Sequence, residues 1–235
     1  MWCDYMEQFI VEIPHYIAVD FLFPRHYSGR VPQITKAFGL YDSKDFTTAH
    51  LKAVCTFGKP ASGALCDGVC GKEFSQNVYE LNRLCRTDDW DRPLSQFVSK
   101  CLREIKKENW IIVSYSDTGM NHHGYIYQAC NFIYTGCTKQ RTDKYVVGGK
   151  HSRHYNNSEQ GKYRKVRTAK HRYIYFCTSN KRLKNKWAES LRYKIMPYPK
   201  GDNSADYVLG QYMKDTIITC DENSQVKLPV EEQLW

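Results

Sequence analysis

Apolar and polar positions group into blocks along the chain, and the most regular block spans residues 110–138. Residues 110–116 (WIIVSYS) carry no charge and are apolar apart from two serines, a pattern that predicts a buried strand. A polar turn follows at residues 117–121. The apolar residues beyond it recur with the spacing of one helix face, at Ile126, Ala129, Cys130 and Ile133. The block therefore predicts a central strand, a polar elbow and a helix.

The same periodicities predict the remaining elements. Strands are expected at residues 13–27 (broken at Pro24), 51–58, 77–86, 145–147 and 171–178, and helices at residues 91–107 and 181–192. In the strand at 77–86, Glu80 shares a face with Val78 and Leu84, which is unusual for a carboxylate without a partner. The order of elements contains a β-β-α-β-α core, which is typical of an α/β domain with a mixed central sheet flanked by helices.

The size and composition of the chain favour one domain. It has 235 residues, 42% of them hydrophobic, enough for one sizeable core. We expect a single domain over residues 1–201 and an acidic C-terminal extension over residues 202–235. No run of eighteen apolar residues and no signal-peptide pattern is present, so we expect a cytoplasmic protein that does not bind membranes. The ten cysteines are then reduced thiols, although Cys66 and Cys70 have a spacing that can serve zinc.

The net charge of +9 is concentrated in one segment. Residues 150–200 contain fifteen Lys and Arg against two acidic residues, and six tyrosines are interleaved with them. Cations contact phosphates and aromatic rings stack on bases, so this segment predicts nucleic-acid binding rather than a solvated loop. The predicted nucleic-acid-binding residues are Arg153, Arg164, Lys165, Arg167, Lys170 and Arg172.

Several catalytic signatures are absent from the sequence. It contains no Walker loop, dinucleotide-binding glycine motif, nucleophile elbow or HExxH, which excludes the corresponding NTPases, oxidoreductases, serine hydrolases and metalloproteases. Polar side chains nevertheless gather at the predicted strand ends, at His26, Tyr27, Ser114, Ser116, Asp117, Tyr127, Gln128 and Asn131. A histidine beside a carboxylate can act as a general base or hold a divalent metal, and both roles remain open at this point.

The central block carries a family signature. Residues 114–117 (SYSD) and 123–132 (HGYIYQACNF) resemble the SYAD…GHxGxIYQAxNF pattern of phage Mom-type DNA modification proteins. Residues 91–95 (DRPLS), the pair His26-Tyr27 and residues 198–200 (YPK) also match that family, over roughly residues 15–201. The sequence departs from the pattern at Ser116, where the family has Ala, and in the turn TGMNHHG, where His123 matches better than His122 because a glycine follows it.

The resemblance implies a fold, a reaction and a set of site residues. The family has an acetyltransferase-like (GNAT) fold and converts the N6 amino group of adenine in phage DNA to a carbamoylmethylamino group, which protects the DNA from host restriction. Iron has been implicated, so His26 and Asp117 become candidate ligands of iron or another divalent metal. The implied catalytic residues are Asp117, Tyr127, Tyr27 and Ser114. The candidate cofactor-binding residues are His123, Gly124 and Gln128.

The resemblance also implies partners. The target is double-stranded DNA in the cytoplasm of an infected bacterium. A carbamoylmethyl group is an isomer of a glycyl group, so the activated donor could be glycyl-tRNA or a glycyl thioester, and acyl-CoA is the donor typical of the fold. Two other functions stay open: acyl transfer to the amine of a small molecule or protein, and DNA binding without catalysis.

Overall fold

A mixed sheet of seven strands forms the centre of the computed structural model, which describes residues 8–28, 30–145, 163–201, 216–219 and 227–228. The strands are β1 (Phe9–Glu12), β2 (Lys36–Tyr41), β3 (Leu51–Gly58), β4 (Val78–Arg86), β5 (Trp110–Asp117), β6 (Ile133–Cys137), β7 (Arg141–Tyr145), β8 (Tyr163–Arg167), β9 (Lys170–Cys177), β10 (Ile217–Thr219) and β11 (Lys227–Leu228). The helices are α1 (His15–Leu22), α2 (Gly63–Cys70), α3 (Leu94–Glu104), α4 (Tyr125–Ala129) and α5 (Lys181–Glu189). The large sheet has the order β1-β2-β3-β4-β5-β9-β6 and the small sheet the order β11-β10-β8-β7.

Helices cover both faces of the large sheet. On one face, α3 buries an apolar stripe formed by Phe97, Val98, Cys101 and Leu102. On the other face, α1 packs at one end of the sheet, and α2 and α5 pack at the other. Each cluster removes apolar side chains from water, which is the main force that stabilises the fold. The fold class predicted from the sequence, a mixed central sheet flanked by helices, is confirmed.

The central strands β4 and β5 are parallel and diverge. They pair from Val78 and Ile111 to Leu81 and Ser114, and beyond that point β4 pairs with β3 and β5 with β9. The register between β3 and β4 shifts at Asn82, which bulges out of β4. We call the space between residues 82–86 of β4 and 115–117 of β5 the β4–β5 opening.

The small sheet joins the basic segment to the C-terminal extension. β7 and β8 form an antiparallel pair, and β10 adds to the other edge of β8, with Ile217 opposite Lys165. Ile217 is buried there. The sequence did not predict β8, because its residues lack the apolar content of a core strand. Pairing on both edges supplies the backbone hydrogen bonds that such a strand needs.

Two predicted elements take another form. Residues 15–22 are a helix and not a strand, because Ala18, Phe21 and Leu22 recur at i, i+3 and i+4 and are buried together. The helix after the elbow ends at Ala129, since Asn131 adopts the left-handed conformation with φ of 59°, and the chain then enters β6. Strands β1 and β2 were not predicted.

The other predicted elements occur where the sequence placed them, namely β3, β4, β5, β9, α3 and α5. Of the short strand predicted at residues 145–147, only Tyr145 is described, as the end of β7. The eight described cysteines are free thiols. Among the described residues, no helix has the length and apolar character needed to cross a bilayer.

Candidate active site

Two loops meet at the β4–β5 opening. The loop after α1 carries His26 and Tyr27, whose rings stack with 4.5 Å between their centroids. The elbow after β5 carries His122, whose ring lies edge-on to Tyr27 at 6.1 Å. Ligands of open α/β sheets bind beyond the carboxyl ends of parallel strands, where these loops lie. The structure therefore brings the two polar loops singled out in the sequence to one place.

His26 is held as a neutral imidazole. The backbone N–H of Ser28 donates to its Nδ1 at 3.2 Å, and the Ser28 hydroxyl lies 2.9 Å from the same atom. Burial, followed by the charges of Arg83, His122 and Lys170, lowers the pKa of His26 to about 3. Because Nδ1 accepts the backbone N–H, we place the ring proton on Nε2, which makes Nε2 a hydrogen-bond donor.

Glu80 and Arg83 place charge beside the opening. Burial raises the pKa of Glu80, although the charges of Arg83 and Lys170 oppose this shift. Within the described part of the chain, no hydrogen bond or ion pair engages the Glu80 carboxylate. Arg83 donates to the carbonyls of Asn82 at 2.6 Å and Arg30 at 3.2 Å, but its buried Nε has no partner there. The Glu80 carboxylate is therefore available to a ligand, whereas two backbone carbonyls hold the Arg83 guanidinium in place.

Tyr127 approaches the opening from the opposite face of the sheet. It packs against the cluster under α3, and the Ser114 hydroxyl beside it opposes the effect of burial on the pKa of Tyr127. The Ser114 hydroxyl in turn donates to the carbonyl of Leu81 at 3.0 Å, across the last pair of β4 and β5. Burial raises the pKa of Tyr127, so its hydroxyl stays protonated at neutral pH and can donate a proton.

Asp117 is fully engaged by its own chain. Its Oδ1 accepts hydrogen bonds from the Gly119 N–H at 2.9 Å and the Thr168 hydroxyl at 2.5 Å, and Lys170 lies 2.9 Å from Oδ2. Burial works against ionisation, but these hydrogen bonds and the Lys170 charge outweigh it and lower the pKa of Asp117. The side chain is 2% exposed. Asp117 thus attaches the turn between β8 and β9 to the elbow.

The signature residues of the elbow fix its shape. Gly124 has φ of 77°, and a Cβ there would lie 2.5 Å from the ring of Tyr173. The carbonyl of His123 accepts hydrogen bonds from the Tyr173 hydroxyl at 2.5 Å and the Gln128 amide at 3.1 Å. The same amide donates to the carbonyl of Pro199 at 3.2 Å. The predicted cofactor-binding residues therefore join the elbow to β9 and to the segment after α5.

A family model described as the Mom protein family matches residues 7–200 of this chain. The chain belongs to the Mom protein family. No curated protein sequence matches it.

Solved acetyltransferases resemble the fold at low identity. An N-acetyltransferase from Staphylococcus aureus Mu50 is 13% identical, with 73% of this chain and 99% of that chain covered and a TM-score of 0.44. Arabidopsis thaliana NAA60 in complex with acetyl-CoA is 11% identical, with 72% of this chain and 98% of that chain covered and a TM-score of 0.43. The ribosomal-protein-S18-alanine N-acetyltransferase from Escherichia coli is 9% identical, with 74% of this chain and 96% of that chain covered and a TM-score of 0.42.

The residues that the Mom resemblance implies as metal ligands do not fit a metal. The Asp117 carboxylate is surrounded by three donors, including the ammonium of Lys170. Nδ1 of His26 accepts from Ser28, which places a proton rather than a lone pair on Nε2. Among the described residues, no group of three or more His, Cys, Asp or Glu side chains could hold a metal ion.

Three of the predicted nucleic-acid-binding cations bond within the chain. Arg167 donates to Asp143 at 2.6 Å and Lys170 pairs with Asp117. Arg172 donates to Thr135 at 2.9 Å. Arg164 and Lys165 lie on β8, and Arg153 lies outside the described residues.

The connection between β4 and α3 is acidic in this Mom-family chain. It exposes Asp88, Asp89 and Asp91 immediately before the N-terminus of α3. A helix N-terminus beyond a parallel strand is the usual site for a ligand phosphate. Asp89 is paired with Lys52 at 2.7 Å, which leaves Asp88 and Asp91 to repel such an anion. The connection therefore disfavours a coenzyme pyrophosphate at this position.

Sequence reasoning noted Glu80 but did not assign it to the site, and it missed Arg83. The signal for Glu80 was a carboxylate among apolar neighbours on a predicted strand. Arg83 gave no signal, because its direction depends on the bulge at Asn82, which reverses the alternation of β4.

Proposed function

We propose that this protein transfers an activated glycyl or related acyl group to the N6 amino group of adenine in DNA, as the bond-forming step of carbamoylmethyl modification. The observation that carries the proposal is the β4–β5 opening, where a carboxylate with a raised pKa and a protonated tyrosine approach from opposite faces of the sheet. Membership in the Mom protein family supports adenine in DNA as the acceptor and protection from restriction as the purpose.

The chemistry needs one base and one acid. The N6 nitrogen attacks the donor carbonyl, the new C–N bond forms, and the bond from that carbon to the leaving oxygen or sulfur breaks. Glu80 accepts the proton that N6 loses, since burial makes it a stronger base than an exposed carboxylate. Tyr127 donates a proton to the leaving group and is recharged from solvent. A glycyl product then requires only an isomerisation to reach the carbamoylmethyl group.

The stacked pair of His26 and Tyr27 suits a base that has left the helix. Adenine N6 lies within the stacked duplex, and turning the base outward costs a few kcal/mol. The Tyr27 ring can stack on the extruded adenine, and the Nε2–H of His26 can donate to a ring nitrogen. Both residues lie at the mouth of the β4–β5 opening.

The acidic connection before α3 favours an ester donor over a coenzyme. Asp88 and Asp91 oppose a pyrophosphate at the position where the fold would otherwise bind it. Glycyl-tRNA supplies an activated ester without a pyrophosphate. Purified protein, an adenine-containing duplex and either labelled glycyl-tRNA or labelled glycyl-CoA distinguish the two donors, and we expect label in DNA with the tRNA. Transfer from the coenzyme alone would contradict this donor.

The proposed function is tested by mass spectrometry of nucleosides from DNA of cells that express the protein. We expect deoxyadenosine with the added mass of a carbamoylmethyl group, and its loss in Tyr127→Phe, which keeps the ring but removes the proton donor. Tyr125→Phe is the matched control, because Tyr125 is exposed and bonds only to Gly201 among the described residues. Unmodified DNA in cells with folded wild-type protein would contradict the proposal and favour a DNA-binding protein without catalysis.

A further inference from the structure

A short segment after α5 exposes a cluster of apolar side chains. Eight large hydrophobic side chains are exposed in the described part of the chain, and three of these lie within four residues: Ile195 (62% exposed), Met196 (44%) and Tyr198 (42%). Exposed apolar residues that stand singly are normal on a protein surface, whereas a cluster of them marks a surface that binds a partner. We call residues 194–198 (KIMPY) the ridge.

The backbone of the ridge is held in place at several points. The N–H of Met196 donates to the carbonyl of Tyr134 on the edge strand β6 at 3.0 Å. The Tyr198 hydroxyl donates to the carbonyl of Phe132 at 2.7 Å. Two prolines in this stretch restrict the chain further. Ile195 and Met196 are therefore exposed on a rigid support, and little backbone entropy is lost when they bind a partner.

The ridge is level with the β4–β5 opening. Tyr134, which accepts the bond from Met196, pairs with Tyr173, and Tyr173 pairs with Ser114 in the last pair of β4 and β5. A Cβ at Gly136, two residues further along β6, would lie 3.0 Å from the Met196 sulfur. The order β5-β9-β6 places the ridge three strand spacings from β5, which is about 14 Å. Beyond the ridge the chain joins the elbow.

Cations surround the apolar cluster. Residues 190–201 contain Arg192, Lys194 and Lys200 and no acidic residue. All three side chains are exposed, and none forms a salt bridge with another described residue. Lysine is depleted from interfaces between proteins, whereas cations beside exposed apolar residues are typical of proteins that unstack the bases of a duplex. The chemistry of the ridge therefore favours duplex DNA over a protein partner.

We infer that Ile195 and Met196 insert between base pairs of the DNA duplex beside the target adenine, while Lys194 and Lys200 bind phosphates on either side. This inference rests on the proposed function, because N6 reaches the opening only when the adenine leaves the base stack. A span of about 14 Å corresponds to roughly four base-pair steps, so the ridge acts on the same stretch of duplex as the opening. Insertion unstacks and kinks the duplex by about 20 to 90°. The remaining cost of turning the adenine outward is then smaller.

The test is the bend of duplex DNA bound by the double variant I195N/M196Q. This variant exchanges two exposed apolar side chains for polar ones, so its melting temperature should equal that of the wild type. The matched control is Y16Q, which removes an aromatic ring that is 66% exposed on α1. Energy transfer between dyes at the two ends of an adenine-containing duplex of about 25 base pairs reports the bend. We expect the wild type and Y16Q to shorten the distance between the dyes, and I195N/M196Q to leave the duplex straight.

The double variant K194Q/K200Q tests the phosphate contacts separately. The slope of log K against log salt concentration should decrease by about 0.9 for each phosphate that it no longer binds, and so by up to about 1.8. The variant I195N/M196Q keeps its cations and should keep the wild-type slope. Fluorescence anisotropy with the same duplex measures both slopes.

An equal bend with I195N/M196Q and with the wild type would overturn the inference, and so would wild-type protein that leaves the duplex straight or does not bind it. Modified adenine is measured in parallel. I195N/M196Q should modify a paired adenine at least about tenfold more slowly than the wild type, and an adenine in a mismatch, which is already less stacked, at the wild-type rate. Absence of modified adenine from the wild type together with the expected bend counts against the proposed function alone.

Discussion

At the scale of single residues, burial assigns opposite proton states to the two faces of the β4–β5 opening. Glu80 has a raised pKa and can accept a proton, whereas burial keeps Tyr127 protonated. His26 is neutral at any pH above about 3, and its Nδ1 is bonded to Ser28. The opening thus contains one base, one acid and one fixed donor.

Glu80→Gln removes the proposed base and keeps the shape of the side chain. We expect adenine modification to decrease at least about 100-fold, the usual contribution of a general base. Stability should not decrease at pH 8, because a raised pKa means that the ionised carboxylate is disfavoured in the folded state above its unfolded pKa. Initial rates and melting temperatures measure both effects. Glu104→Gln is the control, because Glu104 is exposed on α3 and forms no ion pair among the described residues. Full activity in Glu80→Gln would exclude Glu80 as the general base.

His26 makes the fold sensitive to acid. Its pKa is lowered from 6.5 to about 3, so the unfolded chain binds a proton that the folded chain does not. Stability is therefore lost as the pH falls through this window, by at most about 1.4 kcal/mol per pH unit. Urea unfolding of the wild type and His26→Gln should give a difference in free energy that shrinks from pH 6.5 to pH 3. A difference that stays constant would mean that His26 becomes protonated in the folded protein.

At the scale of elements, the elbow is a rigid turn that depends on a single glycine. Gly124 has φ of 77° and lies against the ring of Tyr173, while the adjoining carbonyl of His123 is bonded to that residue and to Gln128. Sequence periodicity identified the strand before the elbow because residues 110–116 carry no charge and are apolar apart from two serines. It overestimated the helix after it, because the left-handed conformation of Asn131, which ends α4, leaves no mark on the apolar spacing.

Gly124→Ala should destabilise the protein by at least about 2 kcal/mol, from backbone strain and the clash with Tyr173. Gly63→Ala is a matched control, since nothing lies within 4 Å of a Cβ at that position in α2 and alanine favours a helix. Urea unfolding measures both. Equal free energies of unfolding for Gly124→Ala and the wild type would show that the elbow adapts.

The strand-end pattern and the family resemblance singled out the same residues in two steps. Tyr27, Tyr127 and Asp117 are among the polar residues at the predicted strand ends, and the resemblance implied catalytic roles for them. The structure places Tyr27 and Tyr127 beside the opening. Asp117 is occupied by contacts that arrive from the turn after β8, which the sequence did not predict. Arg83 could not be assigned to the site from the sequence, because the bulge at Asn82 sets the direction of its side chain. Local sequence patterns therefore indicated the helices and strands. Contacts between distant segments decided which polar side chains stay available to a ligand.

At the scale of the whole molecule, charge is divided among separate segments of the sequence. The connection before α3 and the C-terminal extension are acidic, whereas β7, β8 and α5 are basic. The uncharged strand β10 of the extension pairs with β8. An acidic chain beside a basic strand competes with nucleic acid for it.

Truncation after residue 201 should strengthen DNA binding. Residues 202–235 contain seven acidic residues and two lysines, a net charge of −5, so that their removal raises the net charge of the chain from +9 to +14. A titration with labelled duplex at low salt measures the affinity. A full-length variant with the seven acids changed to their amides separates the effect of charge from the loss of β10. Unchanged affinity in both variants would exclude competition by the extension.

The β4–β5 opening is reached from both faces of the sheet, by Glu80 on one and Tyr127 on the other. We therefore expect the two reactants to be bound at the same time, so that neither has to leave before the other arrives. The enzyme then needs no covalent intermediate of its own. Steady-state rates measured at several concentrations of both reactants should give reciprocal plots that intersect, as a sequential mechanism requires, and not the parallel lines of a ping-pong mechanism.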